Sequence, residues 1–450
     1  MFFKRKLYDR LLDWKSRSHG RTALMIEGAR RVGKSKLVET FGKREYRSCA
    51  IVDFGRATKA IIRVFEDESD NIEIFLKRLS AAVGKPFYER ETLIVFDEIQ
   101  LYPKARAMIK YLVENGKYDY IETGSLVSIR KNVRDIVIPS EERSIRLDPM
   151  DFEEYLWALG DETMMPYLRE SYESNHALGG GIFEKLMKSW REYLLVGGMP
   201  QSVTEFANSR SFEASDEVKR DILSLYRKDI AKADDKDVQK IYAIFDELPN
   251  QLSRPSGSKT YRLSELDKAA RMREYEDAFK WLENAHIVMN CVNATDPSSI
   301  GLTQSQDHTT FKSYMCDTGL LITHTFRDSG FSDNAFYESV LDDDLSVNEG
   351  MLVENIVAQM MKTSREQLFY YSRADRDDRA NRMEVDFLTI QNGKVCPVEV
   401  KSADYRQHAS LDKFVGRFSD KIGTPHILYT KDVKTENGIR YLPLPMAMFI

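Results

Sequence analysis

Four cysteines in 450 residues, Cys49, Cys291, Cys316 and Cys396, are too few and too scattered for a disulfide framework. None forms a CxxC pair or joins a Cys/His cluster, which argues against a structural zinc site. No apolar run approaches the length of a membrane span. The stretch from Met1 to Arg21 carries charges throughout and lacks the continuous apolar core of a secretory signal. These absences suit a reducing cytoplasm and no membrane partner. Excess positive charge is lacking as well: 66 Lys and Arg stand against 71 Asp and Glu, a net charge of −5. Nucleic acid could then be held only by a local basic patch. Repeats and low-complexity tracts are absent, so a solenoid is not expected. The seven histidines show no mutual spacing suited to a metal or a catalytic triad.

What is present reads as an ordinary globular chain. Hydrophobic residues make up 42% and charged residues 30%, too apolar for disorder. The length predicts two to four domains. The first third alternates apolar β-type runs with helical stretches, the pattern of a parallel sheet covered by helices. Strands are expected at Ala23–Glu27, Cys49–Phe54, Thr92–Phe96, Tyr118–Glu122 and Ser144–Leu147. From Asp151 to about Ala233 the pattern is helical, broken by the turn signal Val196-Gly197-Gly198-Met199-Pro200. Helices around Val238–Leu248, Leu263–Ala270 and Arg273–Asn284 lead into a β-like stretch, His286–Val292, in the order of a winged helix. An acidic Gly/Ser/Asp-rich segment, Asp328 to Asp344, reads as a linker. One helix, Glu349–Met361, then precedes strands at Leu368–Tyr371, Val385–Ile390, Val395–Val400 and His426–Tyr429.

The segment Gly28-Ala29-Arg30-Arg31-Val32-Gly33-Lys34-Ser35 fits G-x-x-x-x-G-K-[ST] in full, between an apolar strand and a helix. Its two glycines let backbone N–H groups curl around phosphate oxygens at the positive end of the following helix. Lys34 would reach the β- and γ-phosphates of ATP and Ser35 would ligate Mg²⁺, with Gly28 through Lys36 forming the nucleotide cradle. Leu93-Ile94-Val95-Phe96-Asp97-Glu98 is a buried-type strand ending in two carboxylates at the edge where α/β sheets bind ligands. Asp97 would orient Mg²⁺, mostly through water, and Glu98 would act as catalytic base on the attacking water. Thr123-Gly124-Ser125 follows another strand. A hydroxyl there would sense the γ-phosphate or hold the water, Thr123 before Ser125, although a strand-end turn accounts for the same residues. Arg130, Arg134, Arg143 and Arg146 are available to meet transition-state charge, and their spacing selects none.

The loop, Phe96-Asp97-Glu98, Thr123-Gly124-Ser125 and the stretch Arg146 to Leu156 resemble prokaryotic AAA-like ATPases fused to a C-terminal region of unknown function. Tyr193–Pro200 (YLLVGGMP), Arg227-Lys228-Asp229-Ile230 and Cys316 to Leu321 (CDTGLL) resemble further stretches of that family, so the likeness covers nearly the whole chain. Asp148-Pro149-Met150 departs from the more apolar run and Pro-Leu expected there. The resemblance implies an α/β P-loop core with an additional strand over residues 1–150 and a helical lid over 151–235. It further implies a winged helix over 236–328, a linker over 329–347 and an α+β restriction-endonuclease-like domain over 348–450.

The terminal segment carries its own constellation. Glu354 lies on a helix, Asp386 on one strand, and Glu399 and Lys401 on the next, where alternation sends both to one face. Asn392-Gly393 is a hairpin signal that brings Asp386 and Glu399 to one end of the sheet. Three carboxylates and a lysine of this kind can hold Mg²⁺ and polarise a water for phosphodiester attack. The spacing D-x(12)-E-x-K resembles the metal site of the PD-(D/E)xK nucleases, with Asp386, Glu399 and Glu354 as ligands and Lys401 as the catalytic cation. Two acids and a lysine on a solvated sheet edge would give the same pattern. The loop Arg373–Arg382 either touches phosphates or is a solvated hairpin tip, the latter preferred. Segment Arg273–Asn284 has two cations, Arg273 and Lys280, against Glu274, Glu276, Asp277 and Glu283. A DNA-reading helix should be basic, so this helix is expected to pack or to bind a protein partner. Two functions follow: an ATPase controlling a nuclease-like domain that acts on DNA or other nucleic acid, or a nucleotide switch whose terminal domain recognises a partner without cutting.

Overall fold

A computed structural model describes residues 3–67, 71–124, 141–254, 260–327, 334–341, 349–373, 382–402 and 405–450. The chain divides into two compact units, Met1–Asp148 and Pro149–Ile450. The first is built on five parallel strands, β1 (Ala23–Glu27), β2 (Ser48–Asp53), β3 (Thr92–Asp97), β4 (Asp119–Thr123) and β5 (Glu142–Arg146), in the order β2-β3-β4-β1-β5. The expected strands are all present, displaced by at most two residues. Every residue of β3 and β4 is buried, and β3 accordingly reads as an apolar run, while β4 also buries Asp119, Glu122 and Thr123. Strand β4 lies between β1 and β3, the place of an additional strand in a P-loop core. Helices α1 (Lys6–Ser18), α2 (Lys34–Glu45), α3 (Lys59–Asp67), α4 (Ile72–Val83) and α5 (Pro103–Asn115) complete the unit. Phe54, Phe65, Phe75, Phe96 and Tyr120 form the aromatic centre of its core.

The second unit begins with helices α6 (Phe152–Ala158), α7 (Met164–Ser174), α8 (Gly180–Val196), α9 (Pro200–Ser209), α10 (Phe212–Ile230) and α11 (Asp235–Leu252). Asp151 and Glu154 cap α6 reciprocally: the Glu154 N–H donates to Asp151 Oδ1 at 3.0 Å and the Asp151 N–H to Glu154 Oε2 at 3.3 Å. The helix expected over Leu263–Ala270 is a single 3-10 turn, Leu263–Glu265, with no buried side chain to hold a longer one. After it come α12 (Met272–Asn284) and an antiparallel hairpin, β6 (Val288–Ala294) with β7 (Gln306–Met315). Helices α13 (Thr318–Thr325), α14 (Asn334–Leu341) and α15 (Glu349–Lys362) follow. Helix α14 falls inside the segment that reads as a linker, and its Tyr337 is buried.

The terminal strands are β8 (Leu368–Arg373), β9 (Met383–Gln391), β10 (Lys394–Val400), β11 (His426–Tyr429), β12 (Lys434–Glu436) and β13 (Ile439–Pro443), with helix α16 (Ala409–Phe418). They do not form a separate sheet. Strand β6 pairs in parallel with β8, Cys291 opposite Leu368, so one sheet runs β12-β13-β11-β10-β9-β8-β6-β7.

Two of the sequence stretches singled out above meet at a buried junction. Asp317, in CDTGLL, accepts the Gly198 N–H at Oδ2 (2.5 Å) and the Leu320 N–H at Oδ1 (2.9 Å). Gly197 has φ +77°, and a Cβ there would lie 2.3 Å from Asp317 Oδ1. A Cβ on Gly319 would lie 2.6 Å from the Gly197 nitrogen. YLLVGGMP and CDTGLL are therefore two halves of one backbone crossing that tolerates no side chain. In the RKDI stretch, the Arg227 carbonyl accepts from the Tyr242 hydroxyl at 2.8 Å, and its guanidinium pairs with Asp246, joining α10 to α11.

Candidate functional site

Strand β1 delivers the chain into the phosphate loop at Gly28, whose φ is +152°. A Cβ there would sit 2.2 Å from the Leu147 carbonyl oxygen, so only glycine fits. Arg31 and Gly33 also have positive φ, +75° and +95°, which folds the loop back over the first turn of α2. The loop is braced from outside. Arg5 donates through Nη1 to the Val32 carbonyl at 3.0 Å and through Nη2 to the Asp148 carbonyl at 2.7 Å. Sequence reading gave no sign of Arg5, because one arginine before a helix carries no pattern.

Lys34 Nζ donates to the carbonyls of Gly28 (2.8 Å) and Ala29 (3.0 Å) inside the loop. Burial lowers its pKa to about 8, against the opposing pull of Glu98 and Asp97. Ser35 Oγ donates to Asp97 Oδ1 at 3.0 Å, and Thr123 Oγ1 donates to the same oxygen. Three elements, α2, β3 and β4, thus converge on one carboxylate. Of the two hydroxyls expected near the γ-phosphate, Thr123 is in this cluster; Ser125, with Arg130 and Arg134, lies outside the described residues. Glu98 follows Asp97 in the left-handed region (φ +55°) and receives a hydrogen bond from the Gln100 side-chain amide. Gln100 has no motif signature, and its part emerges only from geometry.

Arg30 and Arg31 are exposed on the loop, and Val32 is buried under it. Lys36 is exposed and pairs with Glu39 at 3.2 Å along α2, a helix-surface contact. Arg143 is exposed, and Arg146 pairs with Asp148 at 2.8 Å. Ser35 Oγ and the Asp97 carboxylate are the donor set a magnesium ion would need beside a bound triphosphate, so these residues fit that ion.

The terminal constellation is assembled differently. Asn392 and Gly393 both take positive φ, +50° and +70°, and close the β9–β10 hairpin as expected. Phe387 pairs with Val398, which sets Asp386 and Glu399 across from one another at the next step. Asp386 Oδ2 accepts the Val400 N–H at 2.9 Å. Lys401 Nζ lies 2.9 Å from Glu399 Oε1. Burial, and then the neighbouring Asp386, pushes the Glu399 carboxyl up to about 8. Glu354 on α15 faces the same region, and it is met by Lys312 and the Tyr314 hydroxyl of β7. Lys312 Nζ is 3.1 Å from Glu354 Oε1, 3.0 Å from Glu384 Oε1 and 3.4 Å from Asp386 Oδ1. Burial opposes its charge, but these three acids outweigh it and keep the ammonium protonated. Among the described residues, no three or more His, Cys, Asp and Glu are gathered so as to hold a metal ion. The three carboxylates expected to be metal ligands do not fit that group here.

Residues 20–156 match a family model described as an AAA domain. The N-terminal unit is a P-loop AAA-like ATPase domain. Residues 187–330 and 349–447 match two models, each described as a domain of unknown function. No curated protein matches the chain. Among solved structures, the Walker-type ATPase PABY2304 of Pyrococcus abyssi is similar at 14% identity over 72% of this chain and 96% of its own, with a TM-score of 0.44. AMPPCP-bound DnaA from Aquifex aeolicus is 12% identical over 63% of this chain and 87% of its own, TM-score 0.28. The Thermotoga maritima RuvB Holliday junction branch migration motor is 12% identical over 66% and 91%, TM-score 0.29. All three lie below the similarity at which a shared whole-chain fold follows. No helix among the described residues is long and apolar enough to cross a membrane.

Proposed function

We propose that the protein is a magnesium-dependent ATPase used as a switch, whose second unit recognises a partner without cutting nucleic acid. The observation that carries the ATPase reading is the convergence of Ser35 and Thr123 on Asp97 Oδ1, with Glu98 one residue on. Magnesium, which Ser35 and Asp97 would hold, would supply charge neutralisation on the phosphates of bound ATP. The chain's own groups do the rest. Lys34 leaves the Gly28 and Ala29 carbonyls for the phosphates, and the loop N–H groups take their oxygens. Glu98, held by Gln100, accepts the proton of the attacking water. Thr123, fixed on Asp97, marks where the γ-phosphate ends.

Chain continuity supports a switch. The Leu147 N–H donates to the Glu27 carbonyl at 2.8 Å, and Arg5 ties Val32 to Asp148. A movement of the phosphate loop is thereby felt at the last residue of the first unit, next to Pro149. Of the two readings of the terminal unit, recognition without cleavage is favoured by Lys312 among the acids that a nuclease would leave free for its ion. The acidic character of α12 favours a protein partner over DNA for the segment read as a winged helix.

The test is nucleotide turnover by two variants. Lys34→Ala should abolish tight ATP binding. Glu98→Gln should bind ATP as the parent does and hydrolyse it at least about 100-fold more slowly. Equal turnover by Glu98→Gln and the parent would sink the catalytic assignment.

A further inference from the structure

The acids at the end of the β9–β10 hairpin already surround a cation, and it belongs to the chain. Lys312 is fully buried on β7. Its strand is fixed on both flanks: Cys291 of β6 pairs with Lys312 itself, and the Phe311 carbonyl accepts the Tyr261 N–H at 2.8 Å. The ammonium meets Glu384, Glu354 and Asp386 within 3.4 Å and stands 5.0 Å from the centre of the Tyr370 ring. The other oxygens of the cluster are mostly engaged. The Tyr314 hydroxyl donates to Glu354 Oε1, the Val400 N–H to Asp386 Oδ2, and Lys401 pairs with Glu399 Oε1. Glu399 Oε2 alone is buried with no hydrogen-bond partner.

A divalent ion needs about six oxygens at roughly 2.0–2.6 Å. The acids that would anchor that shell are already paired with Lys312, and a second cation beside its ammonium would be repelled. Lys312 cannot withdraw as an exposed lysine would, because its edge strand is held by β6 on one side and by the Tyr261 N–H on the other, and its side chain is closed off from water.

We propose that Lys312 is the resident cation of this cluster. The constellation is then a buried ion network that fastens the β6–β7 hairpin to α15 and β9, in place of a site that loads a divalent ion for strand cleavage. It holds whether or not the first unit hydrolyses ATP, and the experiment separates the two.

Mn²⁺ is titrated into the full chain carrying Asp97→Asn, without nucleotide, and bound ion is counted from the loss of the free-ion paramagnetic resonance signal. Asp97→Asn removes the β3 acid proposed to orient the nucleotide-site metal, so a remaining site lies elsewhere. The expected result is no stoichiometric binding up to about 1 mM. One ion per chain that disappears when Glu399→Gln is added would overturn the inference. Lys312→Met keeps the length and apolar stem of the side chain and removes its charge. It should lower the melting temperature or prevent folding, because buried Glu354 and partly buried Glu384 and Asp386 lose their partner. A Lys312→Met chain that melts with the parent would overturn the inference equally.

Discussion

Lys34 shows how one buried side chain couples nucleotide binding to pH. Burial in the loop lowers its pKa to about 8, and a bound triphosphate must raise it again by supplying opposite charge. Below pH 8 the lysine is already protonated and affinity should not vary with its titration. Above pH 8 the free protein has lost the proton that the complex retains, so binding takes up a proton and weakens with rising pH. Affinity for ATP should fall about tenfold per pH unit there, until the bound-state pKa is reached. Calorimetry at pH 9 in two buffers of different ionisation enthalpy would register the uptake; identical heats in both would refute it. Gln100 offers a second residue-scale prediction. Its amide donates to the proposed base, Glu98. Gln100→Ala should leave the ATP dissociation constant within about twofold and lower kcat about tenfold, since a mispositioned base loses rate before affinity. Loss of affinity at unchanged kcat would place Gln100 in binding instead.

At the scale of elements, the Asp317 junction explains why YLLVGGMP and CDTGLL stand out without carrying any chemistry. One buried carboxylate satisfies the N–H groups of Gly198 and Leu320 where two backbones cross. Asp317→Ala would leave both donors buried and unpaired, at a cost of about 2–4 kcal/mol. Asp317→Asn keeps one acceptor oxygen and should cost about half as much. Urea unfolding of the two variants measures this, and ATP affinity should be unchanged in both. A variant as stable as the parent would show that water can replace the carboxylate there.

The same scale shows what was legible in the sequence. Strands β1 and β3 were readable because a parallel strand buried on both faces is largely apolar, whereas β5 is polar with only Ile145 buried and carries a weaker signal. The β9–β10 hairpin was readable because Asn392-Gly393 has few other uses. The turn Leu263–Glu265 was misread as part of a helix: Leu263 and Leu266 sit at helical spacing, but exposed Glu265, Asp267 and Lys268 leave no face to bury. Strand β7 went unnoticed because its first half, Gln306 to Thr310, is polar and has no buried residue. Lys312 was therefore invisible as a partner of Glu354 and Asp386. Sequence spacing brought the acids together but could not name the cation, which comes from 74 residues away in the case of Asp386.

At the scale of the whole molecule, the pairing of β6 with β8 decides which pieces can stand alone. The terminal segment 348–450 has the length of a domain and reads as one. Three buried polar groups of its helix α15, however, find their partners upstream. Asn355 accepts the Met315 N–H at 2.8 Å and donates to its carbonyl at 3.1 Å, Gln359 accepts the Thr318 N–H at 2.9 Å and donates to the Tyr193 hydroxyl at 3.0 Å, and Glu354 takes Lys312. Cutting before residue 348 would expose the β8 edge that pairs with β6 and strand these groups without partners, each at a cost of about 1–3 kcal/mol. That is comparable with the whole stability of a domain this size. A fragment 348–450 should therefore fail to fold cooperatively and aggregate through β8. A fragment 149–450, which retains α8, α13 and the β6–β7 hairpin, should fold. Urea titrations followed by circular dichroism distinguish the two: the longer fragment should give one cooperative transition and the shorter none. A sharp transition from the shorter fragment would mean that its sheet closes without β6 and that the upstream segment docks on a finished domain.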